Sequence, residues 1–313
     1  MLVLNFIILT FFGLISLFLN VFLLIVFIKG FNSLRKLPYF SFSLQILISA
    51  LLSITVKFAY VIPHAASPEI KLSENYIALM ALIETVAYHG ELFFIFALAF
   101  HRLMYFVYVR LASSVYFTIV EVVFIWIMVF TFVACQCYFE CFDTSLSPNS
   151  IENGIWQGVH FYSMCETDTV PKQIFKTITA IVNDYLPAFT FILYALILLK
   201  IRYDVNHFFK TFELKLLTEV QNQRNDFIIL LQGITIYACF FIKFRILNTI
   251  GYGYDETSLN SMLRLLIFCS IYGRTMTQPI FLLFFNQNIR TIAKEIVSSK
   301  FRKNQISALT YKT

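Results

Sequence analysis

Charge is what this sequence has least of. Asp, Glu, Lys and Arg make up 13% of its 313 residues, about half the ~25% of an ordinary soluble domain. Hydrophobic residues make up 59%, and mean hydropathy is +0.75. That balance argues against a water-soluble fold. Catalytic signatures are missing as well: there is no zinc-ligand spacing, no Walker loop, no HExxH and no GxSxG. An enzyme is therefore not expected, nor a cofactor or a bound metal. No Asn-x-Ser/Thr acceptor occurs. Neither does a repeat, a low-complexity block or a linker long enough to divide the chain, so one unit is expected. The net charge of +6 could point to nucleic acid. Its basic residues, however, lie between apolar runs and in the tail rather than on one patch, so nucleic acid is not an expected partner.

What the sequence does have is long apolar runs. About 20 apolar residues suffice for a helix to cross a bilayer. Runs of that kind occupy about 2–28, 37–62, 75–108, 115–139, 173–202, 225–248 and 261–285. The first could be taken for a secretory signal. It is too long for one, and it lacks a basic start and a small-residue cleavage site. Short connections are expected at 29–36, 63–73 and 249–260, a long polar loop at 140–172 and a polar amphipathic segment at 203–224. Residues 287–301 place Ile289, Ile292, Ala293, Ile296 and Val297 at helical spacing with basic residues opposite. This is the pattern of a helix lying along a membrane surface. The expectation is an all-α membrane protein: a seven-transmembrane helix bundle with a short amphipathic eighth helix over 1–301, then a cytoplasmic tail, 302–313.

The third run organises the rest. It is apolar enough to span, yet it carries Glu84, His89, Glu91, His101 and Arg102. Each ionisable group at bilayer depth costs about 2.5–3.5 kcal/mol on insertion scales, so these residues should face a bundle interior. This is a central helix, and Glu84 and Glu91, seven residues apart, share one face of it. Orientation follows from the basic residues. Lys29, Arg35 and Lys36, Arg102 and Arg110, the five of 200–224 and those from Arg290 onward fall on one side. The other side has Lys71 and Lys172 and is acidic. The N-terminus is expected outside and the tail in the cytoplasm. Cys141 and Cys165 then lie in an oxidising outer loop with Cys137 at its edge. A disulfide is plausible there, with Cys141–Cys165 one of its pairings. Cys135, Cys239 and Cys269 read as packed thiols within spans.

Two local patterns carry a resemblance. LAFHRLMYF (Leu98 to Phe106) looks like the Asp/Glu-Arg-Tyr box at the cytoplasmic end of the third helix of rhodopsin-like G-protein-coupled receptors. QPIFLLFFNQNIR (Gln278 to Arg290) resembles their Asn-Pro-x-x-Tyr motif running into the eighth helix. Arg102 takes the place of the box arginine, His101 that of the acid, and Gln278 and Pro279 those of Asn-Pro. Asn20, Trp126 and Pro187 match single marker residues of the first, fourth and fifth helices. The departures are Ser49 or Ala50 where an Asp is usual, a sixth run without proline, and no Cys at the outer end of the third helix. This pattern is similar to the nematode serpentine chemoreceptors, with class xa or a relative as the nearest subclass.

That resemblance implies a G-protein-coupled chemosensory receptor for an extracellular small-molecule or pheromone-like ligand. It implies a plasma-membrane location, in a sensory cilium, with a heterotrimeric G protein, arrestin and membrane lipids as partners. Arg102, His101, Gln278 and Pro279 become an activation switch. Glu84, Tyr88, Arg264 and Lys57 become a ligand pocket, suited to a cation at Glu84 or equally to an acid. Glu84 could instead be neutralised by Lys57, Lys243, Arg245 or Arg264. A buried pair, Glu91 with Arg274, would replace the family's sodium site. His89 reads as a packed or hydrogen-bonded histidine. Rival readings are a receptor for an internal peptide or amine and, from another class, a seven-helix ligand-gated channel or transporter.

Overall fold

The computed structural model describes residues 2–35, 37–67, 72–108, 114–139, 169–209 and 261–310, with isolated positions at 231, 235 and 238. The regular structure among them is helical. Helix α1 (Leu2–Leu34) exposes Ile7, Phe11, Leu14, Phe18, Val21, Ile25 and Ile28 and buries Leu9, Ser16, Asn20, Leu23 and Phe27. Both stripes recur every three or four residues. A large apolar stripe turned away from protein suits hydrocarbon rather than water. The short basic turn expected at 29–36 is corrected: the helix continues through Gly30 to Leu34. Gly30 leaves room for Ile292 of the C-terminal helix; a Cβ there would meet Ile292 Cδ1 at 2.5 Å. The break is imposed by Pro38, which holds Leu37 extended at φ −90°, ψ 123°.

Helix α2 (Pro38–Val56) opens on that proline, where a missing N–H is no loss. It passes into a π-helical turn (Lys57–Val61) and one more α-helical turn (Ile62–Ala66). The expected loop at 63–73 therefore starts later. Pro63 has no N–H to give to the helix behind it, and the Ala59 carbonyl accepts instead from Tyr76 Oη at 2.8 Å. Helix α3 (Glu74–Val107) begins at Ser73, whose Oγ accepts from Tyr76 N at 3.3 Å. Helix α4 spans Val115–Tyr138. Helix α5 (Val170–Phe209) is longer than expected and takes in the start of the polar segment placed at 203–224. Helix α6 spans Ser261–Phe285, the seventh run as read. Helix α7 (Gln287–Thr310) absorbs most of what was read as a tail after 301. Asn286 divides α6 from α7: its Oδ1 accepts from Ile289 N (3.2 Å) and its Nδ2 donates to Tyr39 Oη (2.7 Å).

Among the described residues, five helical stretches are long and apolar enough to cross a membrane: Phe6–Leu34, Tyr39–His64, Asn75–Tyr105, Val115–Tyr138 and Val170–Ile197. This is the character of a helical membrane protein. The sixth run, 225–248, apart from 231, 235 and 238, lies outside the described residues, as do Cys141 and Cys165. Helix α3 is the hub, packed against α2, α4 and α5. The stretches of α2 and α3 are 61% and 56% buried, against 22% for α4 and 24% for α5, so the outer helices present most of their surface to the surroundings. One core layer joins Phe42, Ile46, Leu92, Phe94, Leu98 and Val129. A second joins Leu9, Val56, Tyr60, Met80 and Tyr272. The third, Leu23, Phe27, Phe40, Leu282, Ile289 and Ile296, shows the apolar face of α7 turned onto α1.

Candidate functional site

Two polar groups lie along α3, one about its middle and one near its C-terminal end. Glu84, Tyr88 and Glu91 are spaced by four and three residues, so successive turns bring them onto one face. Arg274 of α6 reaches across to all three. Its Nε lies 3.0 Å from Glu91 Oε2, its Nη2 lies 3.6 Å from Glu84 Oε1, and its guanidinium carbon sits 5.2 Å from the centre of the Tyr88 ring. Arg274 and Glu91 are 3% and 2% exposed, so neither charge is compensated by water; each compensates the other. The structure thus brings together the pair read from the sequence. Ser53 of α2 completes the group. It accepts from Arg274 Nη2 at 3.2 Å and donates to Glu84 Oε1 at 2.9 Å.

Lys57 belongs to the same neighbourhood, one turn beyond Ser53. It is 3% exposed, lies in the field of Glu84 and Glu91, and holds its ammonium 4.9 Å from the centre of the Tyr272 ring. Of the residues read as a ligand pocket, Glu84, Tyr88 and Lys57 are therefore clustered. The Arg264 side chain lies outside the described residues, as do Lys243 and Arg245. The described partners of Glu84 are Ser53 and Arg274. Ser53 was not among the residues expected at the site; only the packing of α2 on α3 and α6 brings it there.

Near the C-terminal end of α3, His101 Nδ1 lies 2.8 Å from Glu121 Oε2 of α4. Phe42 and Phe117 flank the ring. The acid absent beside Arg102 in sequence is thus present in space, spent on the histidine. Arg102 turns to α5, donating from Nη1 to Tyr194 Oη at 3.1 Å with its guanidinium 5.7 Å from that ring centre. Tyr194 had no local signal, since only the packing of α3 on α5 places it there. Gln278 sits apart from this group; its Nε2 donates to the Ser43 carbonyl at 2.9 Å. Pro279 is buried inside α6.

Two of the marker residues, Asn20 and Trp126, also bond between helices. Asn20 Nδ2 donates to the carbonyls of Ser16 (2.8 Å) and Thr275 (3.0 Å), and Trp126 Nε1 donates to Gln45 Oε1 (3.0 Å). His89 is packed, with Nδ1 2.9 Å from the Thr85 carbonyl and its ring against Phe132. A scan of known protein families and a search of curated proteins find no match to this chain.

Proposed function

We propose that this protein is a seven-helix G-protein-coupled receptor of chemosensory type, set in the plasma membrane with its N-terminus outside, and that it binds an extracellular small molecule. The observation that carries the reading is the placement of Arg102. It stands near the end of the central helix, half-buried, and among the described residues its side chain is held by Tyr194, through the hydroxyl and the ring face. A hydrogen bond of that kind contributes about 0.5–1.5 kcal/mol net. Exchanging it for a partner protein's carbonyls or carboxylates is inexpensive. The His101–Glu121 contact supports the same role, because it keeps the nearby acid from clamping the arginine. Ligand binding near Glu84 and Lys57 would act on α2, α3 and α6 together, and so shift the population toward an open cytoplasmic end.

The test is nucleotide exchange on a Gα subunit fused to the C-terminus. Arg102→Ala is expected to lose the acceleration that the wild-type chain gives, at unchanged surface expression. Equal exchange by both chains rejects the receptor role.

A further inference from the structure

The polar cluster between α2, α3 and α6 holds two carboxylates, Glu84 and Glu91, and two cations, Arg274 and Lys57. Their formal charges sum to zero. Within this balanced set the hydrogen bonding is unequal. Arg274 and Ser53 bind one oxygen of Glu84. Among the described residues the other, Oε2, has no hydrogen-bond partner, nor has Lys57 Nζ or Tyr272 Oη. Lys57 and Tyr272 are both buried, at 3% and 0% exposure. A buried amine or hydroxyl without an acceptor is costly. The backbone maintains the arrangement nonetheless: Lys57 opens the π-helical turn, and such turns occur frequently at functional sites. The side chains packed about Tyr272 are apolar and aromatic: Phe12 stacks on its ring, and Leu9, Val56 and Met80 belong to the same cluster.

We infer that Lys57, Tyr272 and Glu84 form the head-group site for an uncharged ligand that carries an oxygen acceptor beside a hydroxyl donor on an apolar body. The inference rests on the receptor reading and narrows its ligand. The acceptor oxygen accepts hydrogen bonds from Lys57 Nζ and Tyr272 Oη, and the hydroxyl donates to Glu84 Oε2. A cationic head finds Glu84 already bound to Ser53 and Arg274. An anionic head finds Lys57 already balancing the excess negative charge of the Glu84–Arg274–Glu91 group. Either ion would carry an uncompensated charge into a site closed to water. A hydroxyketone or a hydroxylated lipid-like volatile has the required head.

The probes are three molecules of similar chain length: hydroxymethyl hexyl ketone, octanoate and octylamine. Each is added to the full-length protein in nanodiscs, with the thermal midpoint as the measure of binding and exchange on the fused Gα read in parallel. The ketone is expected to raise the midpoint of the wild type more than either ion. Lys57→Met should weaken its apparent Kd about tenfold or more, as loss of a charged hydrogen bond implies. Tyr272→Phe, which removes only an oxygen, should weaken it several-fold and guards against a folding artefact of the first variant. Protection by octanoate or octylamine that equals the ketone's, protection insensitive to both variants, or no protection by the ketone overturns the assignment. Ketone binding at Lys57 without any exchange rejects the receptor and keeps the site. Exchange driven by octanoate or octylamine keeps the receptor and rejects the site's chemistry.

Discussion

Arg274 is the residue on which the interior of the bundle depends most. It neutralises Glu91 at 3.0 Å and Glu84 at 3.6 Å, with a hydrogen bond to Ser53 between them. Removing one partner of a buried ion pair is far worse than removing both, because a lone charge stays in a low-dielectric interior. Arg274→Met should therefore destabilise the protein by about 3–5 kcal/mol, measured by thermal or denaturant unfolding in detergent. Adding Glu91→Gln to that variant should recover a substantial part of the loss. A double variant less stable than Arg274→Met alone would dissolve the pairing. The pair was legible because a buried acid needs a cation and Arg274 was an available intramembrane candidate. Ser53 was not, because a serine in an apolar run carries no distinguishing signal.

At the scale of elements, the closest approach of α2 and α3 is set by Gly90. A Cβ there would stand 2.7 Å from Ser49 Oγ, and Ser49 is itself fully buried. Gly90→Ala should cost about 1–3 kcal/mol through overpacking, despite the usual helical gain of alanine over glycine. Combining it with Ser49→Ala removes the colliding oxygen and should restore most of the stability. Strictly additive losses would show that the contact is not the cause. The element boundaries teach a related lesson. Runs of apolar residues located α3, α4 and α6 well. The ends of α1, α5 and α7 were misplaced because polar and basic residues were read as stops. A helix stops where its backbone is interrupted, as at Pro38 and Asn286, and polar side chains on an exposed face do not interrupt it.

For the whole molecule, the unequal burial of the helices is the main result. Helices α2 and α3 form an interior while α1, α4 and α5 turn large apolar side chains outward. The receptor reading makes a prediction at this scale that needs no ligand. Epitope tags at the two termini, probed in intact and permeabilised cells, should place the N-terminus outside and the C-terminus inside. A C-terminus accessible in intact cells would favour an inverted channel and remove the proposed role of Arg102. The basic residues support the expected arrangement, because the flanks rich in Lys and Arg stay cytoplasmic.

Composition by itself determined the solvent: 59% hydrophobic residues and 13% charge leave too little polar surface for water. Spacing determined that Glu84 and Glu91 share a face of the central helix, because helical periodicity is a local property. Arg274 apart, the partners of the polar residues of this helix were decided only in three dimensions. Ser53, Glu121 and Tyr194 lie 31, 20 and 92 positions from their bonded partners Glu84, His101 and Arg102. Sequence separation carries no information about such contacts until the packing angles of the helices are set. The same holds for Lys57: its charge was plain in the sequence. Its burial over Tyr272, without a hydrogen-bond partner among the described residues, comes with a π-helical turn that no local pattern announced.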